Sequence, residues 1–188
     1  MRFDFLISLM LLIGIVSCNN VRSRTAETSV KEKRLNLDSL LSSMDTTHIM
    51  ITIDDYISAS LTSDDNLSRL TQPQKNFYYI QELEGEVNNG GFNQYFFNSS
   101  GDYAHETISA LKAIGAEKAI KLLQSAIDEF PGHLVPKDRA MRQEILSKIE
   151  SKAQKVWDKL DSEFYTYPDD LNALNIIYIK KNKKDFER

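Results

Sequence analysis

Apolar residues in this chain recur every three or four positions for most of its length, the period of a helix with one buried face. Leu35, Leu37, Leu40, Leu41 and Met44 mark a short amphipathic segment. Thr52, with Asp55 three residues on, reads as the start of a second helix carrying Ile53, Tyr56, Ile57 and Leu61, because a threonine hydroxyl can accept an orphan backbone N–H. The alternation Ile49, Ile51, Ile53 fits a short strand, but no partner strand lies near it. Thr71-Gln72-Pro73-Gln74 is a stronger start, with proline in the first turn and Thr-x-x-Gln able to form a capping box. Phe77, Ile80, Leu83 and Val87 then share a face, and Asn89-Gly90-Gly91 is expected to stop that helix. Ala104, Ile108, Leu111 and Ile114 predict another, broken near Gly115, and Ile120, Leu123, Ile127 and Phe130 the next, stopped by Pro131-Gly132. Met141, Ile145 and Ile149 lead into Ala153, Trp157, Leu160 and Phe164 with a bend between them. Pro168-Asp169-Asp170 opens a last helix, followed by a basic tail expected to fray. The pattern predicts an all-α fold: a single multi-helix domain.

The N-terminus breaks this pattern. Phe5 to Val16 is a run of twelve apolar or small residues, suited to a signal-peptide core and short of the roughly 20 that span a membrane. Ile15-Val16-Ser17-Cys18 follows, and it resembles the lipobox of bacterial lipoproteins. The resemblance implies cleavage after residue 17 and lipid attached to Cys18, with several acyl chains giving a stable anchor. Residues 1–17 then form a signal peptide, 18–34 a flexible tether and 35–188 the helical domain. Asn19 after the cysteine leans the expectation to the outer membrane of a bacterial cell envelope. Cys18 is the chain's one cysteine, so no internal disulfide and no cysteine nucleophile in the folded body is available.

Charge is laid out unevenly behind a net −4. Residues 44–106 hold ten acidic side chains against two basic ones, while 107–188 hold thirteen against fifteen. An acidic middle argues against direct nucleic-acid binding, which needs Lys and Arg on phosphates, and leaves open a basic protein partner. The alternative reading is a solvated helix face. The three histidines, His48, His105 and His133, form no HExxH pair. Asp102, His105 and Glu106 are a conceivable cluster, but the sequence calls for no metal and no cofactor. It holds no G-x-S-x-G elbow, and Asn88-Asn89-Gly90-Gly91 lacks the Gly-Lys-Ser/Thr of a phosphate loop.

EVNNGGFNQYFFNSSG, residues 86–101, packs four asparagines, three glycines and four aromatics into sixteen positions. Two turns, one apolar face of Phe92, Tyr95 and Phe96, and helix-capping groups from Asn98 to Gly101 explain most of it. The amides beside the aromatics also suit a recognition surface, where amides fix orientation and rings supply area. Glu84, Glu86, the run Asn88 to Phe96, Asn98, Ser100-Gly101 and the segment 104–116 together resemble a bacterial domain family of unknown function, found as the C-terminal domain of the DNA-mimic proteins. The resemblance runs from about Phe77 to Ile127 and implies an all-α fold. The family's DNA mimic presents acidic side chains in place of phosphates to a DNA-binding protein. This chain departs from that pattern in its lipobox and its modest net charge, so mimicry is not carried over.

The expectation is a lipid-anchored envelope protein that binds a macromolecule, in particular a basic protein. Its binding candidates are Glu82, Glu86, Asn88, Asn93, Gln94, Tyr95 and Asn98. An enzyme with a pocket around Asn88–Gly91 and Glu86 or His105 as proton carrier stays open, as does a structural lipoprotein without a discrete site.

Overall fold

In a computed structural model that describes residues 35–61 and 67–187, eight α-helices and no strand are found among those residues. The signal segment and tether expected over residues 1–34, Cys18 included, lie outside them. The helices are α1 (Leu37–Leu41), α2 (Thr46–Ser58), α3 (Gln72–Phe97), α4 (Ala104–Ile114), α5 (Glu117–Ile127), α6 (Arg139–Phe164), α7 (Leu171–Lys181) and α8 (Lys183–Phe186). Short 3-10 turns at Leu67–Arg69, Ser99–Tyr103 and Pro131–His133 connect them.

α3 is the axis of the domain. Helices α6 and α4 cover most of it, with α2, α7 and α8 on its remaining sides. Phe77, Ile80, Leu83 and Val87 are fully buried, as the period predicted. So is the aromatic set after the glycines: Phe92 and Phe96 pack with Phe130, Trp157 and Phe164. Trp157 buries its ring completely and donates its indole N–H to the Ala126 carbonyl at 3.1 Å, so the core residue with the largest side chain leaves no orphan donor.

Local signals decide most helix ends. The Thr71 capping box forms with both its hydrogen bonds. Gly115 closes α4 in the left-handed conformation, and Asp170 caps α7 by accepting from Ala173 N–H. Four expectations are corrected. α2 starts at Thr46, because Asp45 accepts the His48 N–H at 2.9 Å, and Thr52 lies inside the helix with its hydroxyl turned back to the His48 carbonyl. Ile49, Ile51 and Ile53 therefore belong to that helix and to no strand. α6 runs unbroken through both of its apolar sets. The basic tail docks instead of fraying: Phe186 is fully buried, edge-on against Phe77, and Thr71 donates its hydroxyl to the Asp185 carbonyl.

Candidate functional site

Helical backbone breaks at the two glycines, as expected, and resumes directly after them, so α3 is kinked there. Gly90 leaves helical geometry (φ −156°, ψ 22°) and Gly91 takes φ 74°, ψ −176°, a region open in practice to glycine alone. The second half of the helix restarts at Phe92, whose N–H is accepted by Asp161 Oδ1 of α6 at 2.8 Å. A Cβ on Gly91 would lie 2.2 Å from the other oxygen of that carboxylate, so the position needs glycine twice over, for its φ and for the close approach. Burial raises the Asp161 carboxyl above the ordinary range and Asp158 adds to this, while the Phe92 N–H pulls the other way.

Across the kink, Glu86 gathers the amides that follow it. Gln94 Nε2 donates to Oε2 at 2.6 Å, and Asn98 Nδ2 donates to Oε1 and Oε2 at 3.0 and 2.9 Å. One carboxylate in the first half of α3 thus staples two amides in and just beyond the second half. Asn98 offers no N-cap to the following turn, a correction to its expected role: its Nδ2 is held by Glu86, and its Oδ1, the atom a cap would use, accepts from Arg139 at 3.4 Å. Ser100 turns its hydroxyl to the Tyr95 carbonyl instead.

The end of this segment is held by Arg142, which is fully buried. Its Nε donates to the Phe96 carbonyl at 2.6 Å. One terminal nitrogen donates to the carbonyls of Pro136 and Lys137, the other to the Asn98 carbonyl and to Asp102 Oδ1 at 2.5 Å. All five guanidinium donors are therefore used, which is what makes a buried arginine tolerable.

Beside the staple lie two adjoining clefts. The first, about 310 Å³, is lined by Gln81, Glu82, Gly85, Glu86, Asn89 and Gln94 of α3. The second, about 460 Å³, runs between α2 and α3, from Thr47, Met50, Ile51 and Asp54 to Glu84, Gly85 and Asn88, and reaches Asn172 of α7. Among the described residues, no lysine, arginine or histidine lines either cleft. Burial and the neighbouring Asp170 raise the Glu84 carboxyl, and burial and Asp55 raise that of Asp54.

The structure brings Glu82, Glu86, Asn88 and Gln94 to this face. Asn93 lies elsewhere, donating to Glu150 and Gln154 of α6. Tyr95 is corrected outright. It is fully buried, its hydroxyl paired with Thr107 at 2.9 Å, and its core position keeps it from any recognition surface. The conceivable cluster at residues 102–106 is dispersed over separate partners: Asp102 pairs with Arg142, Glu106 with Lys137, and His105 accepts the Val135 N–H at 3.2 Å. His105 lines neither cleft, so it does not share a pocket with Glu86. Arg142 and Asp161 were not singled out from sequence, although one signal existed. Arg142 sits three residues before Ile145 on the apolar stripe of α6, where a lone cation must be either an error of register or a paired group.

The family model described as DMP19-like protein matches residues 68–182, more than half of the chain. The match takes in α3 through α7, hence the kink, the staple and the buried arginine. No match was found among curated proteins or among solved structures. The chain belongs to the DMP19-like family.

Proposed function

We propose that this member of the DMP19-like family is a lipid-anchored envelope protein whose helical domain holds a basic protein partner on the face formed by α2 and the first half of α3. The observation that carries the reading is the lining of the two clefts. Carboxylates and amides dominate their polar lining, and among the described residues no basic side chain lines either one. Such a face raises the local concentration of cationic groups and speeds their encounter, and it repels anionic ones. The Asp161-anchored kink and the Glu86 staple support it by fixing Gln94 and the backbone behind the clefts, so that the surface is formed before anything binds. Lipid on Cys18 would place that face at the membrane. Among the described residues no helix is long and apolar enough to cross one.

The enzyme reading loses its support, because Glu86 spends both oxygens on amides and His105 stands apart from it. Two measurements test the proposal. Metabolic labelling with a fatty-acid analogue is expected to mark the full chain and to be abolished by Cys18→Ser, and labelling that survives the change overturns the anchor. Affinity capture from an envelope extract is expected to retain a partner at low salt and release it at moderate salt, since exposed charge pairs are screened beyond about 10 Å at 0.1 M. Absence of a partner at either salt overturns the binding reading.

A further inference from the structure

We propose that the groove between α2 and α3 seats a short segment of a protein partner, which lays an arginine or lysine and an adjacent apolar residue over Gly85. The inference rests on the binding reading above and sharpens it. Thr47, Met50, Ile51 and Asp54 follow one another at the i, i+3, i+4, i+7 spacing of a helix face, and Gln81, Glu84, Gly85 and Asn88 do the same on the opposite wall. Seven residues of helix span about 10 Å, which admits two or three side chains of a visiting segment and not a whole helix.

Gly85 carries the argument. It lies in the interior of α3 with helical backbone, where glycine weakens a helix relative to any ordinary residue. Gly91 must be glycine for its φ and its neighbour, but a Cβ added at Gly85 would meet nothing within 4 Å. Among the described residues nothing asks for a bare backbone there. It forms a stretch of wall shared by both clefts, and its lack of a side chain keeps the two continuous. The chemistry of the walls selects the visitor. Asp54 and Glu84 favour a cation, and Ile51, 56% exposed, offers an apolar contact beside them. Gln81, also common to both clefts, keeps a buried side-chain N–H without an acceptor among the described residues, so the wall has polar capacity that the fold leaves unused.

The test uses the full chain in mild detergent and a twelve-residue probe peptide with an Arg-Leu-Arg centre in a Gly/Ser background, with a Glu-Leu-Glu control. Fluorescence anisotropy is expected to show saturable binding of the arginine peptide and at least tenfold weaker binding of the control. Gly85→Leu is expected to weaken the arginine peptide at least tenfold by filling the groove. Its melting midpoint should not fall below that of the wild type, because the fold has room for the new side chain and the helix gains propensity. Asp54→Lys, a charge reversal on the facing wall, is the second variant and should also weaken the peptide severalfold. Peptide binding that ignores both changes overturns the groove, as does failure of the arginine peptide to bind. If the extract still yields a salt-sensitive partner that is indifferent to Gly85→Leu, the groove assignment falls and the broader binding reading stands. If capture fails altogether, both fall.

Discussion

A buried charge is a commitment, and Arg142 shows what this fold has committed. Its guanidinium bonds reach the Phe96 and Asn98 carbonyls at the end of α3, the Pro136 and Lys137 carbonyls ahead of α6, and the Asp102 carboxylate in the 3-10 turn. Only Asp102 contributes a charge, and its side chain is 31% exposed, so most of the stabilisation comes from placing donors on main-chain carbonyls, of which that of Asn98 also accepts the Gly101 N–H. Arg142→Met removes those donors together while roughly keeping the volume. We expect it to cost about 3–5 kcal/mol, the range for breaking a buried charged pair and orphaning its acceptors. Urea unfolding followed by circular dichroism reads this directly. A loss below about 1 kcal/mol would mean that water replaces the guanidinium at little cost and that the residue does not hold the segment. The same position shows where sequence reasoning stops: periodicity puts residue 142 on the buried stripe, but the five acceptors come from stretches 5 to 46 residues away. No local rule assembles them.

Helix ends divide into those set by neighbours in sequence and those set from across the fold, and this division separates what was legible from what was not. Thr71 with Gln74, Gly115, and Asp170 with Ala173 are contiguous devices, and their positions were readable. The cap of α2 was misplaced by seven residues, Thr52 for Asp45, although Asp45 is also local. Thr52-x-x-Asp55 offered a competing start, and the isoleucines between them fit two periods at once. The kink at Gly91 and the start of α5 belong to the second class. Ala116 precedes α5 and cannot cap it, so Asp169, some fifty residues later, accepts from Lys118 N–H at 2.7 Å and Ala119 N–H at 2.9 Å. Reading Pro168-Asp169-Asp170 as one helix start captured Asp170 and missed that its neighbour caps another helix. Asp169→Ala is expected to cost about 1 kcal/mol, as for the loss of a helix cap. Amide hydrogen exchange is the sharper readout. Protection should drop at Lys118 and Ala119, while the Ala173 amide, capped by Asp170, keeps its own. Equal loss at both helices would assign the effect to general destabilisation.

At the scale of the molecule, part of the acidic middle of the chain comes to one groove, where two of its carboxylates are partly out of water. Asp54 and Glu84 sit on opposite walls of the α2–α3 groove, and both are raised above the ordinary carboxylate range. The sequence showed the excess of acid over residues 44–106, but the helix rotations that bring residues 54 and 84 to one groove while sending Asn93 to α6 emerge only from packing. The raised values have a definite consequence for stability. A carboxyl whose folded value lies above its unfolded value holds its proton more tightly in the native state. Stability is therefore greatest below the unfolded value and falls as pH rises through the folded one. Glu84 is the clearer case, since burial is its leading cause and Asp170 adds repulsion. Glu84→Gln should accordingly be more stable than the wild type at pH 7, where the native carboxylate is charged and partly desolvated. The advantage should shrink as pH falls through the raised value and vanish below the ordinary glutamate range, where both side chains are neutral. Urea midpoints of the two proteins at a series of pH values from 3.5 to 7 check the sign and the window. Equal midpoints throughout would mean that Glu84 is solvated well enough to ionise freely. A variant less stable at pH 7 would mean that its charge is compensated within the fold, leaving the groove with less unbalanced negative charge to offer a cation. The same series therefore measures how much of the acidic face the folded chain leaves for a partner to neutralise.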